Sequence, residues 1–176
     1  MKNKGNGSQF AIGNVMSNVT EKIALSIVIP VYNEEESITT LWGGIRRACE
    51  PTGNRYEVIF VDDGSRDKTF NVLKRLNKED GRVKVIRFRK NFGQTAAMAA
   101  GFERASGDVI VSMDGDLQND PDDIPVLLAK IGEGFDVVCG WRKNRRDKFW
   151  TRRVPSVAAN WIIGQVTGVK IHDNGC

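Results

Sequence analysis

The stretch VSMDGDLQNDPDD, Val111 to Asp123, runs an apolar segment, Val109–Met113, into five carboxylates: Asp114, Asp116, Asp120, Asp122 and Asp123. Like charges gathered at the end of a buried element are costly unless a cation sits among them. Asp114 and Asp116 are one residue apart. Where the chain bends at a strand end both can face one point, with Gly115 letting the backbone come close. With the amide oxygen of Gln118 as a weaker third member, they form an oxygen donor set for a hard divalent cation, Mg2+ or Mn2+. Such a cation keeps some waters and takes its remaining ligands from a diphosphate. Asp122 and Asp123, beside Pro121 and ahead of IPVLLAKI, are instead explained as acids at a helix N-terminus, and Asp120 is grouped with them. Only Asp114, Asp116 and Gln118 are assigned to the metal.

Two other polar clusters have the same character. In VDDGSRDKT, Asp63 can accept hydrogen bonds from a base N–H or a ribose hydroxyl, as acids at strand ends do in dinucleotide folds. Asp67 or Ser65 caps the helix that follows, and Asp62 fits either role. In PVYNEEE, Tyr32 offers a ring to stack on a base and Glu34 an acceptor, while Glu35 and Glu36 read as first-turn partners of a helix dipole. Any one cluster alone is equally well explained as turn chemistry. Three of them, each following an apolar run, point to one site.

The elements that must bring them together alternate in type. Strands are expected at LSIVIP (Leu25–Pro30), YEVIFV (Tyr56–Val61), VKVIRF, DVIVSM and DVVCG. Helices are expected from about Glu35 to Cys49, along SRDKTFNVLKRLN with Phe70, Leu73 and Leu76 at helical spacing, along GQTAAMAAGFERA, and along DDIPVLLAKIGEG. This alternation implies βαβ units and a mostly parallel α/β sheet, and the continuous apolar strands imply helices on both of its faces. In such folds ligands bind at the carboxyl ends of strands near the reversal of strand order, where all three clusters would fall.

A chain of 176 residues with 40% hydrophobic and 27% charged residues suits one soluble domain with a real core. Its three cysteines, Cys49, Cys139 and Cys176, form no CxxC pair and read as reduced thiols in a cytosolic compartment. Residues 1–21, rich in Asn, Gly and Ser, read as a disordered leader without secretory features. No apolar run reaches the roughly 18 residues needed to span a bilayer.

The motifs VIPVYNEEESI, VIFVDDGSRDKT, NFGQTAAMAAGFERASGDVIVSMDGDLQNDP and DVVCGWR, in this order, resemble family 2 glycosyltransferases of the GT-A fold. The resemblance is strongest to the branch that uses polyisoprenyl phosphates, which includes dolichol-phosphate mannose synthases and undecaprenyl-phosphate glucosyltransferases. It runs from about Ile23 to Cys176 and implies a single GT-A catalytic domain over residues 22–176. It implies nucleotide contacts at Pro30, Tyr32, Glu34, Val61, Asp63, Asp114 and Gly115, and metal binding by Asp114, Asp116 and Gln118. It also implies a diphosphate contact at Arg142. Members of the branch continue past the DNGC with which this chain ends, so a C-terminally truncated fragment is expected.

The segment GWRKNRRDKFWTRR sets Arg142, Lys143, Arg145, Arg146, Lys148, Arg152 and Arg153 against Asp147 alone, with Trp141, Phe149 and Trp150 interleaved. Beyond it Val154, Val157, Ala158, Trp161 and Ile162 share one helical face. Residues 141–167 therefore read as a basic amphipathic element lying on a membrane surface, each basic residue contributing about 1 kcal/mol near an anionic leaflet. A solvated charge run before a core-facing helix is the plainer explanation. With a net charge of +4 and no recognisable nucleic-acid module, nucleic acid is not expected as a partner. Self-association into a homo-oligomer is compatible with the sequence.

The expected activity is an inverting transfer of a hexose from a nucleotide sugar, UDP-glucose or a related donor, to a polyprenyl phosphate at the cytoplasmic membrane face. Asp116, Arg142, Arg152 and Arg153 are the expected catalytic group, the arginines neutralising the two phosphates that must meet. A phosphate acceptor is already largely ionised at neutral pH, its second pKa being about 6, so no general base is required. The single histidine, His172, is accordingly given no role. The alternative is a family 2 enzyme acting on a saccharide hydroxyl, which would need a base, with Asp173 the first candidate. A phospho-accepting receiver domain is the farther rival: there the acid pair should close the first strand, here it closes the second, PVYNE has no place in that scheme, and nucleotide-sugar binding would exclude it.

Overall fold

The computed structural model describes residues 22–140. The expected leader at 1–21 and the basic segment at 141–167 lie outside the described residues, as do Arg142, Arg152, Arg153, His172 and Asp173. The elements run β1 (Leu25–Val31), α1 (Ile38–Cys49), β2 (Tyr56–Asp62), α2 (Thr69–Glu79), β3 (Val83–Arg87), α3 (Gln94–Arg104), β4 (Val109–Ser112) and α4 (Ile124–Gly132). The four strands form one parallel sheet in the order β3-β2-β1-β4.

This order follows from the hand of the crossovers. Successive right-handed crossovers through α1 and α2 carry the chain outward from β1 to β2 to β3, which keeps both helices on one face. The return from β3 to β4 on the far side of β1 reverses direction and places α3 on the other face. The packing agrees. Ile27, Ile29, Val58 and Phe60 pack with Ile38, Leu41, Ile45, Leu73 and Ile124, whereas Val28, Ile59 and Val61 pack with Ala97 of α3. Over residues 27–31 and 58–61 the two inner strands are therefore apolar on both faces, as their hydrophobic runs require. Gly101 of α3 allows the closest approach: a Cβ there would lie 2.2 Å from Cγ1 of Val28.

Three features differ from expectation. DVVCG forms no strand; Val137 is 75% exposed, and β4 pairs with β1 alone among the described residues. A β-branched run needs a neighbouring ladder to become a strand, because strand propensity reflects packing on a sheet rather than a backbone preference. For the same reason Ile110 of β4 is 43% exposed. Lastly, α1 begins at Ile38, so Glu35 and Glu36 precede its first turn instead of lying within it. Of the cysteines, Cys49 is buried and Cys139 exposed, both as free thiols.

The amino end of the sheet is pinned by Glu57, which is 1% exposed. Its Oε1 accepts from Ser26 Oγ at 2.6 Å and from the Ser106 N–H at 2.8 Å, while Oε2 faces the Lys84 ammonium. Ser26 Oγ in turn accepts from the Gly107 N–H at 2.8 Å. Burial pushes the Glu57 carboxyl up, but the bonds from Lys84, Ser26 and Ser106 outweigh it and hold the group below the usual glutamate range. One side chain thus ties β1, β2, β3 and the turn into β4.

Candidate active site

The reversal of strand order falls between β1 and β4, and a cleft of about 320 Å3 opens there at their carboxyl ends. Pro30 helps to open it. The Met113 N–H donates to the Val28 carbonyl, so Val28, and Pro30 two residues on, face β4. That ladder ends at the pair Val28 and Ser112, so the N–H that Pro30 lacks is not needed, and the chains diverge beyond it. The cleft is lined by Pro30, Val31, Tyr32, Glu34, Asp63, Asn91, Gly93, Gln94, Asp114, Gly115 and Asp116. Gly115 fits tightly: a Cβ would lie 2.7 Å from Cγ1 of Val31.

Two loops build the β1–β2 side of the cleft and zip together. Asn33, at φ 56°, accepts the Arg66 N–H on its Oδ1 and donates its own N–H to Ser65 Oγ. The Glu34 N–H donates to Thr69 Oγ1, and the Lys68 N–H to a Glu35 carboxylate oxygen at 2.7 Å. Asp67, one residue ahead of the N-cap position Lys68, accepts the Thr69 N–H at 2.9 Å and so fixes the turn that leads into α2. Asp62 is structural: fully buried, it accepts the Ser65 N–H at 2.8 Å and pairs with Arg87. Tyr32 is 40% exposed at the cleft, so its ring is open to a stacking partner.

Asp63, 4% exposed, is engaged already. Its two carboxylate oxygens accept the N–H groups of Phe92 at 2.7 Å and Gly93 at 2.9 Å. It therefore anchors the loop that opens α3, at an end where a negative charge is favourable. Across the cleft, Asp114 Oδ1 accepts from Gln94 Nε2 at 2.8 Å. Asp116 Oδ1 accepts the Gln118 N–H at 3.0 Å, and Asn119 Oδ1 accepts the Asp114 N–H at 3.2 Å, which together fold the DGDLQ loop. Asp120 caps the turn Pro121–Asp123 by accepting the Asp122 N–H, as expected.

The structure thus brings Pro30, Tyr32, Glu34, Asp63, Asp114, Gly115 and Asp116 to one cleft. It does not bring Val61, whose side chain is fully buried against α3, nor Gln118, which is exposed outside the lining. Asn91, Gly93 and Gln94 line the cleft without having been singled out by sequence; a glycine at the mouth of a helix, here at φ 94°, was the available signal. Among the described residues no cluster of three or more His, Cys, Asp or Glu side chains forms a ready metal cage.

Residues 26–173 match the model of the family described as Glycosyl transferase family 2. The chain belongs to glycosyl transferase family 2. Among its curated relatives are dodecaprenyl-phosphate galacturonate synthase of Rhizobium johnstonii, 45% identical over 89% of this chain and 47% of the relative. Another is undecaprenyl-phosphate 4-deoxy-4-formamido-L-arabinose transferase of Pseudomonas paraeruginosa, 44% identical over 86% of this chain and 45% of the relative. The chain spans about half the length of these relatives. Its fold is GT-A. It is similar to S. aureus TarS 1–349 in complex with UDP-GlcNAc, with TM-score 0.57, 22% identity, and coverage of 73% of this chain and 38% of that one. It is also similar to the Pyrobaculum calidifontis mannosyltransferase PcManGT in complex with GDP-Man and Mn2+, with TM-score 0.52, 22% identity, and coverage of 62% and 32%. Among the described residues no helix of this family 2 chain is long and apolar enough to cross a membrane.

Proposed function

We propose that this glycosyltransferase domain, residues 22–176, moves a hexose from a nucleotide sugar, UDP-glucose or a related donor, to a polyprenyl phosphate at the cytoplasmic membrane face. The observation that carries the donor half is the charge of the cleft. Glu34, Asp63, Asp114 and Asp116 line it, and among the described residues no Lys or Arg does. Against these residues a nucleoside diphosphate entering alone would meet like charge. Asp114 and Asp116 fit a divalent cation, Mg2+ or Mn2+, as hard oxygen donors facing a shared space. Such an ion would neutralise the diphosphate as it leaves.

The chain's own residues do the rest. Tyr32 stacks on the base, and Asp63, while holding the α3 loop, keeps lone pairs for a base N–H or a ribose hydroxyl. Pro30 and Gly115 shape the approach through backbone. Arg142 meets the diphosphate from beyond the described residues, and Arg152 and Arg153 the acceptor phosphate. An oxygen of the ionised acceptor phosphate attacks the anomeric carbon. The bond from that carbon to the diphosphate breaks, and the nucleoside diphosphate departs with the electron pair. The configuration inverts, and no proton needs to be removed first.

The acceptor half is supported by the relatives. Their names share a polyprenyl phosphate and differ in the sugar, which does not favour a saccharide hydroxyl as acceptor. The basic segment 141–167 suits an anionic membrane surface. The test is transfer of label from UDP-glucose, UDP-galacturonate or GDP-mannose, with Mn2+, to undecaprenyl phosphate or to undecaprenol. Label entering the organic phase with the phosphate alone is expected; equal transfer to both lipids, or to neither, contradicts the reading.

A further inference from the structure

Three consecutive residues, Phe92, Gly93 and Gln94, bridge the carboxylates that close β2 and β4. Phe92 and Gly93 give their N–H groups to the two oxygens of Asp63, and Gln94, the first residue of α3, gives Nε2 to Asp114 Oδ1 at 2.8 Å. Gly93, at φ 94°, supplies the backbone reversal between the two contacts, a conformation natural to glycine. Asp114 Oδ2 takes no protein hydrogen bond among the described residues, and Asp114 and Asp116 share the cleft with Gln94.

We propose that Gln94 is a positioning residue that orients the Asp114 carboxylate for a divalent cation and couples that end of the cleft to the Asp63 end. The inference rests on the reading of this cleft as a metal-assisted nucleotide-sugar site. A carboxylate with one oxygen fixed by an amide N–H loses rotational freedom and presents the other to a ligand. The donor must be neutral: a Lys or Arg at position 94 would itself satisfy Asp114 and compete with the cation. Outer partners of this kind are worth about 10- to 100-fold in metal affinity when removed. Because Asp63 sets where α3 begins, it also sets where the Gln94 amide stands, so occupation of the base end and the metal end are linked through three residues of chain.

The test uses Gln94→Met, which keeps side-chain length and helix propensity and removes the N–H donor. Gln94 is exposed, so the core is not disturbed. Mn2+ is titrated calorimetrically into the 176-residue chain at saturating UDP or GDP, whichever the wild type binds when Mn2+ is present. The expected result is an Mn2+ affinity about 10- to 100-fold weaker in Gln94→Met. The thermal midpoint in chelator is unchanged, and Thr95→Ala, a change at the next helical position, keeps wild-type affinity. Wild-type Mn2+ affinity in Gln94→Met overturns the inference while the functional reading stands. An equal loss in Thr95→Ala overturns it too, by showing a general disturbance of α3. Failure of the wild type to bind either nucleotide with Mn2+ overturns the functional reading and this inference with it.

Discussion

Asp63→Asn separates the two roles of Asp63, because its effect on folding is read without ligand. In the folded chain both Asp63 oxygens accept backbone N–H groups, from Phe92 at 2.7 Å and Gly93 at 2.9 Å. Asparagine keeps the shape but turns one acceptor into a donor, so one N–H meets an amide N–H and the other keeps a neutral bond. Hydrogen bonds to a charged group contribute about 1.5–3 kcal/mol and neutral ones about 0.5–1.5 kcal/mol. One lost bond and one weakened bond sum to roughly 2–4 kcal/mol. Relief of the repulsion among Asp63, Glu34, Asp114 and Asp116 offsets part of this, leaving about 2 kcal/mol. With a urea dependence of about 1–3 kcal/mol per molar, the unfolding midpoint should fall by about 1 M. Fluorescence of Trp42, buried on α1, is one reporter of the transition. A midpoint unchanged, or raised, would refute the claim that Asp63 anchors the start of α3.

Two further outcomes follow from the packing. Glu57, held below the usual glutamate range by Lys84, Ser26 and Ser106, adds stability that is present above its unfolded pKa and lost as pH falls through its folded one. The stability difference between wild type and Glu57→Gln, from urea melts across pH, should therefore be about 1.5–3 kcal/mol at neutral pH and shrink below about pH 4.5. A difference that grows on acidification would contradict the sign. Gly101→Ala would ordinarily gain up to about 1 kcal/mol in a helix interior. Here its Cβ meets Val28 Cγ1 at 2.2 Å in the core, so a net loss of about 1–2 kcal/mol in thermal or urea unfolding is expected, and a gain would show that α3 shifts freely.

How far the sequence carried the account is clearest residue by residue. The apolar runs of β1 and β2 were legible because both strands are covered on two faces and so need no alternation. The acids that follow β1, β2 and β4 were legible as one site because parallel order brings those strand ends together. DVVCG was misread because a strand needs a neighbour that periodicity does not reveal. Glu35 was misread as a helix acid because its partner, the Lys68 N–H, lies 33 residues away. Val61 was carried into the site by resemblance, yet alternation along β2 turns its side chain into the α3 core. Gln94 was passed over as a helix former, since its bond to Asp114 spans 20 residues and exists only after the sheet reverses.

The central claim is that the cleft between β1 and β4 holds a nucleotide diphosphate through a cation on Asp114 and Asp116. It is tested most directly by calorimetric titration of UDP, GDP and UDP-glucose into the chain, with and without Mn2+, for wild type and Asp116→Ala. The account predicts binding of one nucleotide that requires Mn2+ and is lost in Asp116→Ala. Binding that ignores both Mn2+ and Asp116, or no binding to any of the three, would contradict it.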